Sequence, residues 1–289
     1  MIAIIIVNYN TREPLRRCLD SIRRERGDLA LDVIVVDNAS KDGSAEMVRA
    51  DFPEVTLIAP PENTWFTGGN NLGYAHSTGE LVFILNPDTV ILPGTLPTLI
   101  QYMETHTVAA ITCRLEYPDS AAVQATCSRV PRYLDLLLGY TFLGVLLAPL
   151  REKRRRAMWY DGWARDSTRA VEVIPGSCML IRREWLRKVG DRVFDPALKL
   201  YFPEDDLCAR LIAAGGAIHF VGEAVIKHEE HASVKQAQRL ASRIYFDDLI
   251  TFTRKHYGAA GALLLRGLII PTRAAMEWVQ RRRGERDRF

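Results

Sequence analysis

Unbroken runs of β-branched residues, each followed directly by a polar loop, restrict the fold of this chain more than any other feature. The runs are "IAIIIV" from residue 2, "VIVV" before Asp37, a short one at 55–59, and "LVFIL" before Asn86. Such runs are typical of strands buried on both faces of a parallel sheet, and helical patterns alternate with them. The alternation predicts an α/β fold with a doubly wound, mainly parallel sheet, in which ligands bind beyond the carboxyl ends of the strands.

Composition limits the function classes that remain. The 289 residues suffice for one large α/β domain with an appendage. The net charge of +3 is too small to indicate a nucleic-acid partner. The five cysteines never occur in CxxC spacing, so we expect reduced thiols rather than a disulfide framework or a zinc site. Because the first residues are strand-like and carry no basic n-region, we expect a cytoplasmic location.

Two segments combine apolar residues with a following arginine run. Residues 136–150 carry no charge and meet "REKRRR", and "GALLLRGLIIP" precedes the C-terminal "RRRGERDR". The first segment is too short to span a bilayer. Two interpretations stay open: a helix that lies in the membrane interface with its arginines toward lipid phosphates, or a buried helix followed by a solvated turn. We expect one domain over residues 1–232 and a helical extension over 233–289, for which contact with the inner face of the cytoplasmic membrane is one interpretation.

Asp37 lies where the second predicted strand ends. A carboxylate at this place commonly accepts hydrogen bonds from the ribose or base of a nucleotide, but "DNASKDGS" is also good turn chemistry. A dinucleotide dehydrogenase is disfavoured because the loop after the first strand, "NYNTREPL", contains no glycine. No P-loop motif occurs in the sequence either.

An amide and a carboxylate two residues apart, Asn86 and Asp88, follow the fourth predicted strand, with Pro87 fixing the turn. A hard cation such as Mg²⁺ or Mn²⁺ takes oxygen ligands and shares them with substrate phosphates. His228 follows another strand-like run and would complete an oxygen and nitrogen ligand shell with Asp88. A plain turn at "NPD" and a structural histidine are the alternatives.

Three consecutive carboxylates, Glu204, Asp205 and Asp206, stand directly behind Pro203. In the first turn of a helix, proline and acidic residues suit the free backbone amides and the positive end of the helix dipole. The alternative is that one of the three acts as a general base, since neighbouring carboxylates and partial burial raise a carboxyl pKa toward neutrality.

Seven motifs occur along the chain in the order "IIIVNYN", "VIVVDNASKDGS", "GGNNLG", "NPD", "PGSCMLIRRE", "PEDDLCAR" and "VIKHEEHAS". With this order the chain resembles the family 2 glycosyltransferases over residues 1–235, and among them the bacterial rhamnosyltransferase-like members that build cell-surface polysaccharides. The resemblance implies a GT-A fold over residues 1–232, a nucleotide-sugar donor, a divalent cation (Mg²⁺ or Mn²⁺) and inversion at the anomeric carbon. It also implies a saccharide or lipid-linked acceptor.

The resemblance also assigns residues by position. The donor side would comprise Asn8, Asn10, Asp37, Asn70, Asn71 and Asn86, and the metal would be held by Asp88 and His228. The chain departs from the family twice. Asn86 replaces the first acid of the D-x-D metal motif, which leaves metal binding plausible but weaker. The acidic motif of the family usually reads E-D-x-D-L. Counting back from Asp206 gives Glu204 as the base, whereas matching the letters E-D gives Asp205. We favour Asp205.

In the reaction that the resemblance implies, an acceptor hydroxyl attacks the anomeric carbon from the face opposite the departing nucleoside diphosphate, while a carboxylate removes its proton. A cation at Asp88 would stabilise the charge that develops on the diphosphate. Two rivals remain. A sugar-nucleotide nucleotidyltransferase is expected to carry a glycine- and basic-rich loop after the first strand, which "NYNTREP" does not supply. A non-catalytic nucleotide-sugar-binding or membrane-surface scaffold would bind a nucleotide sugar without turning it over.

Overall fold

The predicted buried runs form strands of one mixed sheet. In the described part of the chain the strands are β1 (Ile2–Asn8), β2 (Leu31–Asp37), β3 (Thr56–Ile58), β4 (Leu81–Leu85), β5 (Thr89–Ile91), β6 (Ala110–Glu116), β7 (Arg169–Ala170), β8 (Cys178–Arg182) and β9 (Ile218–His228). Their order across the sheet is β3-β2-β1-β4-β8-β6-β9-β5, with β7 beside β9. The computed structural model describes residues 1–229 and 238–286, and the side chains of 1–229 and 244–272. The expected boundary at 232/233 and the side chains of the C-terminal arginine run lie outside these residues.

Helices connect and cover the strands. They are α1 (Arg12–Glu25), α2 (Ser44–Asp51), α3 (Trp65–His76), α4 (Thr95–Thr105), α5 (Tyr133–Tyr140), α6 (Leu143–Leu146), α7 (Ala148–Met158), α8 (Arg183–Lys188), α9 (Pro203–Ala213) and α10 (Gln238–Arg286). Non-helical backbone at Gly258 interrupts α10 (φ +78°, ψ 170°). No helix of the described residues is long and apolar enough to cross a bilayer.

Strand direction determines where the polar strand ends meet. β1 is parallel to β2 and to β4, which form the predicted parallel part of the sheet. β8 runs antiparallel between β4 and β6, and β9 is parallel to β6. The carboxyl ends of β1, β2, β4, β6 and β9 therefore all lie at one edge, together with the amino end of β8. The sheet thus has a parallel half and a mixed half, because β8 enters the middle of the sheet in the opposite direction.

The core has a layer on each face of the sheet, as expected for strands without a polar face. Even-numbered β1 residues such as Ile4 pack with α1, α2 and α4, whereas Ile5 packs with residues of α8 and α9. A third cluster joins α5 to α10 through fully buried residues such as Phe252 and Leu198. This cluster fixes α10 against the loop that leads into α9. The five cysteines are buried free thiols.

Residues 136–150 do not form the single helix that the sequence predicts. Extended backbone at Thr141 ends α5, and non-helical backbone at Leu147 separates α6 from α7. A Cβ on Gly144 would lie 1.9 Å from the Leu138 carbonyl oxygen, so α6 folds back onto α5 at a distance that only glycine permits. Leu138 is buried while Leu146 is 70% exposed, so one part of the segment packs against the protein and the other part does not.

Candidate active site

The ends of β1 and β2 are joined by a buried network of hydrogen bonds. Asn8 is fully buried, and its Nδ2 donates to Asp37 Oδ1 (2.7 Å) and to Ser40 Oγ (3.1 Å). The Ser40 amide donates to Asp37 Oδ2 (3.2 Å), and the Asn10 amide donates to Ser40 Oγ (2.9 Å). Asn8 and Asp37 thus hold the two strand-end loops in register. The predicted donor residues Asn8, Asn10 and Asp37 lie together.

The "GGNNLG" motif lies inside α3. Helix α3 packs so closely on the sheet that a Cβ on Gly69 would lie 2.7 Å from Val7, and one on Gly73 would lie 2.5 Å from Ile5. The glycines are therefore required for close packing and not for a flexible turn. In the sequence, the spacing of four residues between Gly69 and Gly73 is the pattern that indicates a packing role on one face of a helix.

The two asparagines of α3 have different environments. Asn71 binds the backbone of Phe194 on both sides, accepting from its amide (2.9 Å) and donating to its carbonyl (2.8 Å). Asn70 donates to the Phe66 carbonyl (2.8 Å), and its Oδ1 is buried without a hydrogen-bond partner among the described residues. Asn71 thus holds the loop before α9. Asn70 Oδ1, in contrast, can accept a hydrogen bond from a further group.

Asp88 and His228 face each other at the sheet edge. Asp88 Oδ1 lies 3.5 Å from His228 Nε2, and both side chains are largely buried. His228 Nδ1 lies 2.8 Å from Gln124 Oε1, and Gln124 Nε2 donates to the His228 carbonyl (2.8 Å). Because that carbonyl can only accept, Gln124 Oε1 is the acceptor for Nδ1–H, and Nε2 is the ring nitrogen that faces Asp88.

This pair suits a divalent cation that completes its coordination with substrate oxygens. A carboxylate oxygen and an unprotonated imidazole nitrogen are ligands of Mg²⁺ or Mn²⁺ sites, and Gln124 fixes the histidine from behind as ligand-supporting groups do. The described residues contain no cluster of three or more histidine, cysteine or acidic ligands. A cation here would therefore depend on phosphate oxygens, as Mg²⁺ commonly does.

Asp206 is a structural member of the acidic triplet. Its fully buried carboxylate accepts from Arg210 (2.8 Å) within α9, and from Lys255 (2.7 Å) and His256 (2.9 Å) of α10. Burial alone would raise its pKa, but these cationic and hydrogen-bonding partners outweigh it and lower the pKa to about 2. Asp248 of α10 adds a second anchor, because its carboxylate accepts the backbone amides of residues 199–201.

Glu204 and Asp205 face different surroundings. Burial raises the pKa of Glu204 to about 6. Burial and then the charge of Glu204 raise the pKa of Asp205 to about 8. Glu204 Oε2 is buried and has no hydrogen-bond partner among the described residues. Asp205 lies close enough to Tyr140 and Tyr245 for its charge to raise the pKa of both phenols, after the larger effect of their burial. Asp205 thus faces α5 and α10.

The turn before β8 joins the strand-end residues to the acid helix. The Asn86 amide donates to the Ser177 carbonyl (3.1 Å). A Cβ on the neighbouring Gly176 would lie 3.8 Å from the Glu204 carboxyl carbon and 3.1 Å from the Phe66 ring. The "NPD" turn, the start of α3 and Glu204 are therefore contiguous around Gly176. Asp206 and Asn71 lie behind this surface as supports.

Four of the eight non-glycine residues with positive φ in the described part of the chain lie in these same loops. Asn10, Ala39, Trp65 and Phe202 all adopt positive φ (+52°, +58°, +65° and +64°) although none is glycine. They stand after β1, after β2, at the start of α3 and directly before α9. Such conformations persist where the surroundings impose them, and they cluster at functional sites.

Gln124, Lys255 and His256 were missed from the sequence. Gln124 lies far from His228 along the chain, and no local pattern marks it. Gly176 carries a signal in "PGS", which predicts a turn but not its contact with Glu204. The anchors Lys255 and His256 belong to a helical segment whose contacts cannot be read from its own residues.

Comparison with known proteins agrees with this geometry. The mannosyltransferase PcManGT of Pyrobaculum calidifontis, solved with GDP-Man and Mn²⁺, has a similar architecture (21% identity, TM-score 0.53, 95% of this chain and 75% of that one). Staphylococcus aureus TarS solved with UDP-GlcNAc is similar as well (12% identity, TM-score 0.55, 82% and 61%). At these identities the likeness concerns the fold, which is the GT-A fold of glycosyltransferases.

The family follows from the sequence match. Residues 3–190 match the model described as Glycosyl transferase family 2, so the chain belongs to the family 2 glycosyltransferases. The N-acetylglucosaminyl-diphospho-decaprenol L-rhamnosyltransferase of Mycobacterium tuberculosis is 24% identical over 257 residues, which cover 81% of this chain and 78% of that protein. The chain is therefore a rhamnosyltransferase-like glycosyltransferase, as the order of its motifs predicted.

Proposed function

We propose that the protein is an inverting, metal-dependent hexosyl- or rhamnosyltransferase that moves a sugar from a nucleoside diphosphate to a saccharide acceptor in cell-surface polysaccharide synthesis. The observation that carries this proposal is the contact of Gly176 with Glu204 on one side and of its neighbour Ser177 with Asn86 on the other. This arrangement brings a carboxylate with a raised pKa close to the turn that bears the metal-ligand candidate Asp88. A transferase needs both at one crevice.

Glu204 is the general base in this proposal, in place of the Asp205 that motif letters favour. Its Oε2 lacks a protein hydrogen bond and is therefore disposed to accept one from an acceptor hydroxyl. A pKa of about 6 leaves it ionised at neutral pH and still basic enough to take a proton. Asp205 has the higher pKa and faces tyrosines, so it remains protonated near neutrality and stabilises the helix start.

The donor side is formed by the strand-end loops. Asn10, Asp37 and Asn86 would line the nucleoside and diphosphate, with Asn70 Oδ1 as a further acceptor, while Asn8 and Asn71 hold these loops in place. Asp88 and His228 would hold Mg²⁺ or Mn²⁺, which supplies charge stabilisation to the leaving diphosphate when bound. The mannosyltransferase of similar fold was solved with Mn²⁺ and GDP-Man, which supports this donor class.

A lipid-linked acceptor and a peripheral place at the inner face of the cytoplasmic membrane complete the proposal. Val145 and Leu146 of α6 are 72% and 70% exposed, and exposed Arg151 and Lys153 follow on α7. Adjacent apolar and cationic side chains suit an interface of anionic lipids. The mycobacterial relative is named for an acceptor carried on decaprenol diphosphate, which agrees with such a location.

A nucleotide-sugar panel tests the proposal. Purified protein is screened by thermal shift against UDP-, GDP- and dTDP-sugars with Mn²⁺ and with EDTA, and each stabilising donor is then assayed for turnover. One donor should raise the melting temperature with Mn²⁺ because ligands that bind the native state stabilise it, and it should be consumed. Binding without turnover on any saccharide acceptor would favour a non-catalytic binding protein instead.

A further inference from the structure

Two adjoining clefts lie in the segment between β6 and β8. Their volumes are about 290 Å³ and about 630 Å³, and they share Arg129 and Ala157. Neither includes Glu204 or Asp88. The basic side chains that line them outnumber the acidic ones, Asp135 and Asp161, by three to one. These basic residues are Arg129, Arg132, Lys153, Arg154, Arg156 and Arg169.

Two of these six cations already have an acidic partner, and the other four form no ion pair with the described residues. Arg154 forms a bidentate pair with Asp135 (2.6 and 3.0 Å), and Arg156 pairs with Glu152 (2.9 Å). Arg129 and Arg169 are exposed and form no ion pair with the described residues. These two arginines are therefore the cations of the larger cleft that are available to an anion.

Aromatic rings hold both arginines in place. The guanidinium carbon of Arg129 lies 5.4 Å from the Tyr160 ring centre, and that of Arg169 lies 5.0 Å from the same ring and 5.0 Å from Trp163. Stacking occupies the face of a guanidinium and leaves its N–H edges available. Two like charges on one ring repel, and an anion between them would relieve that repulsion. Phosphate is the anion whose geometry the arginine fork matches best.

The cleft is rigid because Arg165 ties its wall together. Arg165 is buried and donates to the carbonyls of Trp159, Trp163 and Thr126. The Glu172 amide donates to the Tyr160 hydroxyl (3.1 Å), which fixes the ring between the arginines.

Both chain segments of the cleft begin at the active site. Arg129 follows Gln124, the partner of His228, by five residues, an extended span of at most about 18 Å. Glu172 precedes Gly176, the neighbour of Glu204, by four residues, at most about 14 Å. The backbones of Ser128 and Val173 pair with each other and tie the two segments together (2.8 and 3.1 Å). The two chain segments that form the cleft therefore lead, within these lengths, one to a partner of His228 and the other to the neighbour of Glu204.

We propose that the larger cleft binds a phosphate or diphosphate group that the acceptor carries next to its reacting sugar. The assignment rests on the proposed transferase function and names the chemical class of its acceptor. Arg129 and Arg169 clamp the phosphate oxygens through their N–H edges, while the Tyr160 and Trp163 rings keep them aligned. An uncharged saccharide gains nothing from these arginines, so the cleft selects phosphorylated acceptors.

Inorganic pyrophosphate is the probe for this site. Its affinity is measured by calorimetry in EDTA, which disables the cation-dependent donor site, for the wild type and for Arg129→Gln, Arg169→Gln and Asp88→Asn. The matched control is Arg24→Gln, which removes an exposed arginine of α1. We expect binding that survives EDTA and Asp88→Asn, that is unchanged in the control, and that is roughly tenfold or more weaker in each cleft variant. Equal weakening in the control, or no binding in EDTA, would overturn the proposal.

Two further experiments distinguish a phosphate carried by the acceptor from a phosphate of a lipid headgroup. Glucose 1-phosphate should compete with pyrophosphate while glucose does not, and vesicles of equimolar phosphatidylglycerol and phosphatidylcholine should bind both cleft variants as well as the wild type. Loss of vesicle binding together with pyrophosphate binding would assign the cleft to lipid headgroups and overturn the acceptor assignment. None of these measurements requires turnover. Failure of the nucleotide-sugar panel with intact pyrophosphate binding would remove the transferase proposal, and with it the acceptor assignment, while the anion site in the cleft would stand.

Discussion

Replacing the buried anchor Asp206 should strongly destabilise the protein. The change Asp206→Asn keeps the shape of the side chain but removes the charge that faces Arg210, Lys255 and His256 at 2.7–2.9 Å. Removing one partner of a buried ion pair costs about 3–5 kcal/mol because the other charge stays behind. Lys255 is 31% exposed and keeps a second partner in Asp195. We therefore expect the lower end of that range, about 3 kcal/mol.

The pH dependence follows from the lowered pKa of Asp206. Its drop from the ordinary value of 3.8 to about 2 corresponds to roughly 2.5 kcal/mol of stability. Because the folded-state pKa lies below the unfolded one, this stability is fully present above about pH 4. It is lost as the pH falls toward 2, where the carboxyl takes up a proton in the folded state too.

Urea unfolding followed by circular dichroism measures both effects. Asp51→Asn is the matched control, since Asp51 pairs with Arg16 at 2.7 Å on the surface, where such pairs contribute less than about 1 kcal/mol. At pH 7 the free energy of unfolding of Asp206→Asn should fall about 3 kcal/mol below the wild type, and the difference should shrink between pH 4 and pH 2. Equal losses in the two variants, or a loss at Asp206 that ignores pH, would refute the role given to this carboxylate.

Three further predictions concern the site and the membrane surface. Gly176→Ala places a methyl group 3.1 Å from the Phe66 ring and should lower the transfer rate about tenfold, whereas Gly139→Ala, in open space, should leave it unchanged; equal rates would contradict the contact. Gln124→Leu removes the support of His228, the proposed metal ligand, and should weaken Mn²⁺ binding in the presence of nucleoside diphosphate by roughly 10–100-fold in a calorimetric titration, and unaltered affinity would count against that support. Leu146→Gln should weaken sedimentation with anionic vesicles about tenfold, and undiminished binding would argue against α6 as the membrane contact.

Strand patterns and polar strand ends were readable from the sequence because they depend on local residues. β1 and β2 appear as unbroken apolar runs, and Asn8 and Asp37 end them. β1, β2 and β9 end at the same edge of the sheet, as the predicted parallel pairing requires, so Asn8, Asp37 and His228 lie along that edge. The GT-A fold expected from the order of the motifs is confirmed by the sheet and by the solved structures of similar fold.

Contacts across the chain could not be read in this way. β8 joins the sheet in the opposite direction, and no residue in "CMLIR" carries that information. The roles within the acidic triplet depend on partners such as Lys255 and Gly176, which lie about 50 and 30 residues away. Matching the letters of the motif favours Asp205 as the base because it takes no account of these contacts. The break of α5 and α6 depends on the approach of Gly144 to Leu138, which is likewise a matter of packing.

The most direct measurement of the central claim is the rate of sugar transfer by Glu204→Gln and Asp205→Asn, with the donor that the panel identifies. If Glu204 removes the acceptor proton, Glu204→Gln should lose at least about 100-fold and Asp205→Asn less than tenfold, and the wild-type rate should fall below pH 6 as Glu204 is protonated. Near-native transfer by Glu204→Gln, with or without loss of activity in Asp205→Asn, would contradict the account.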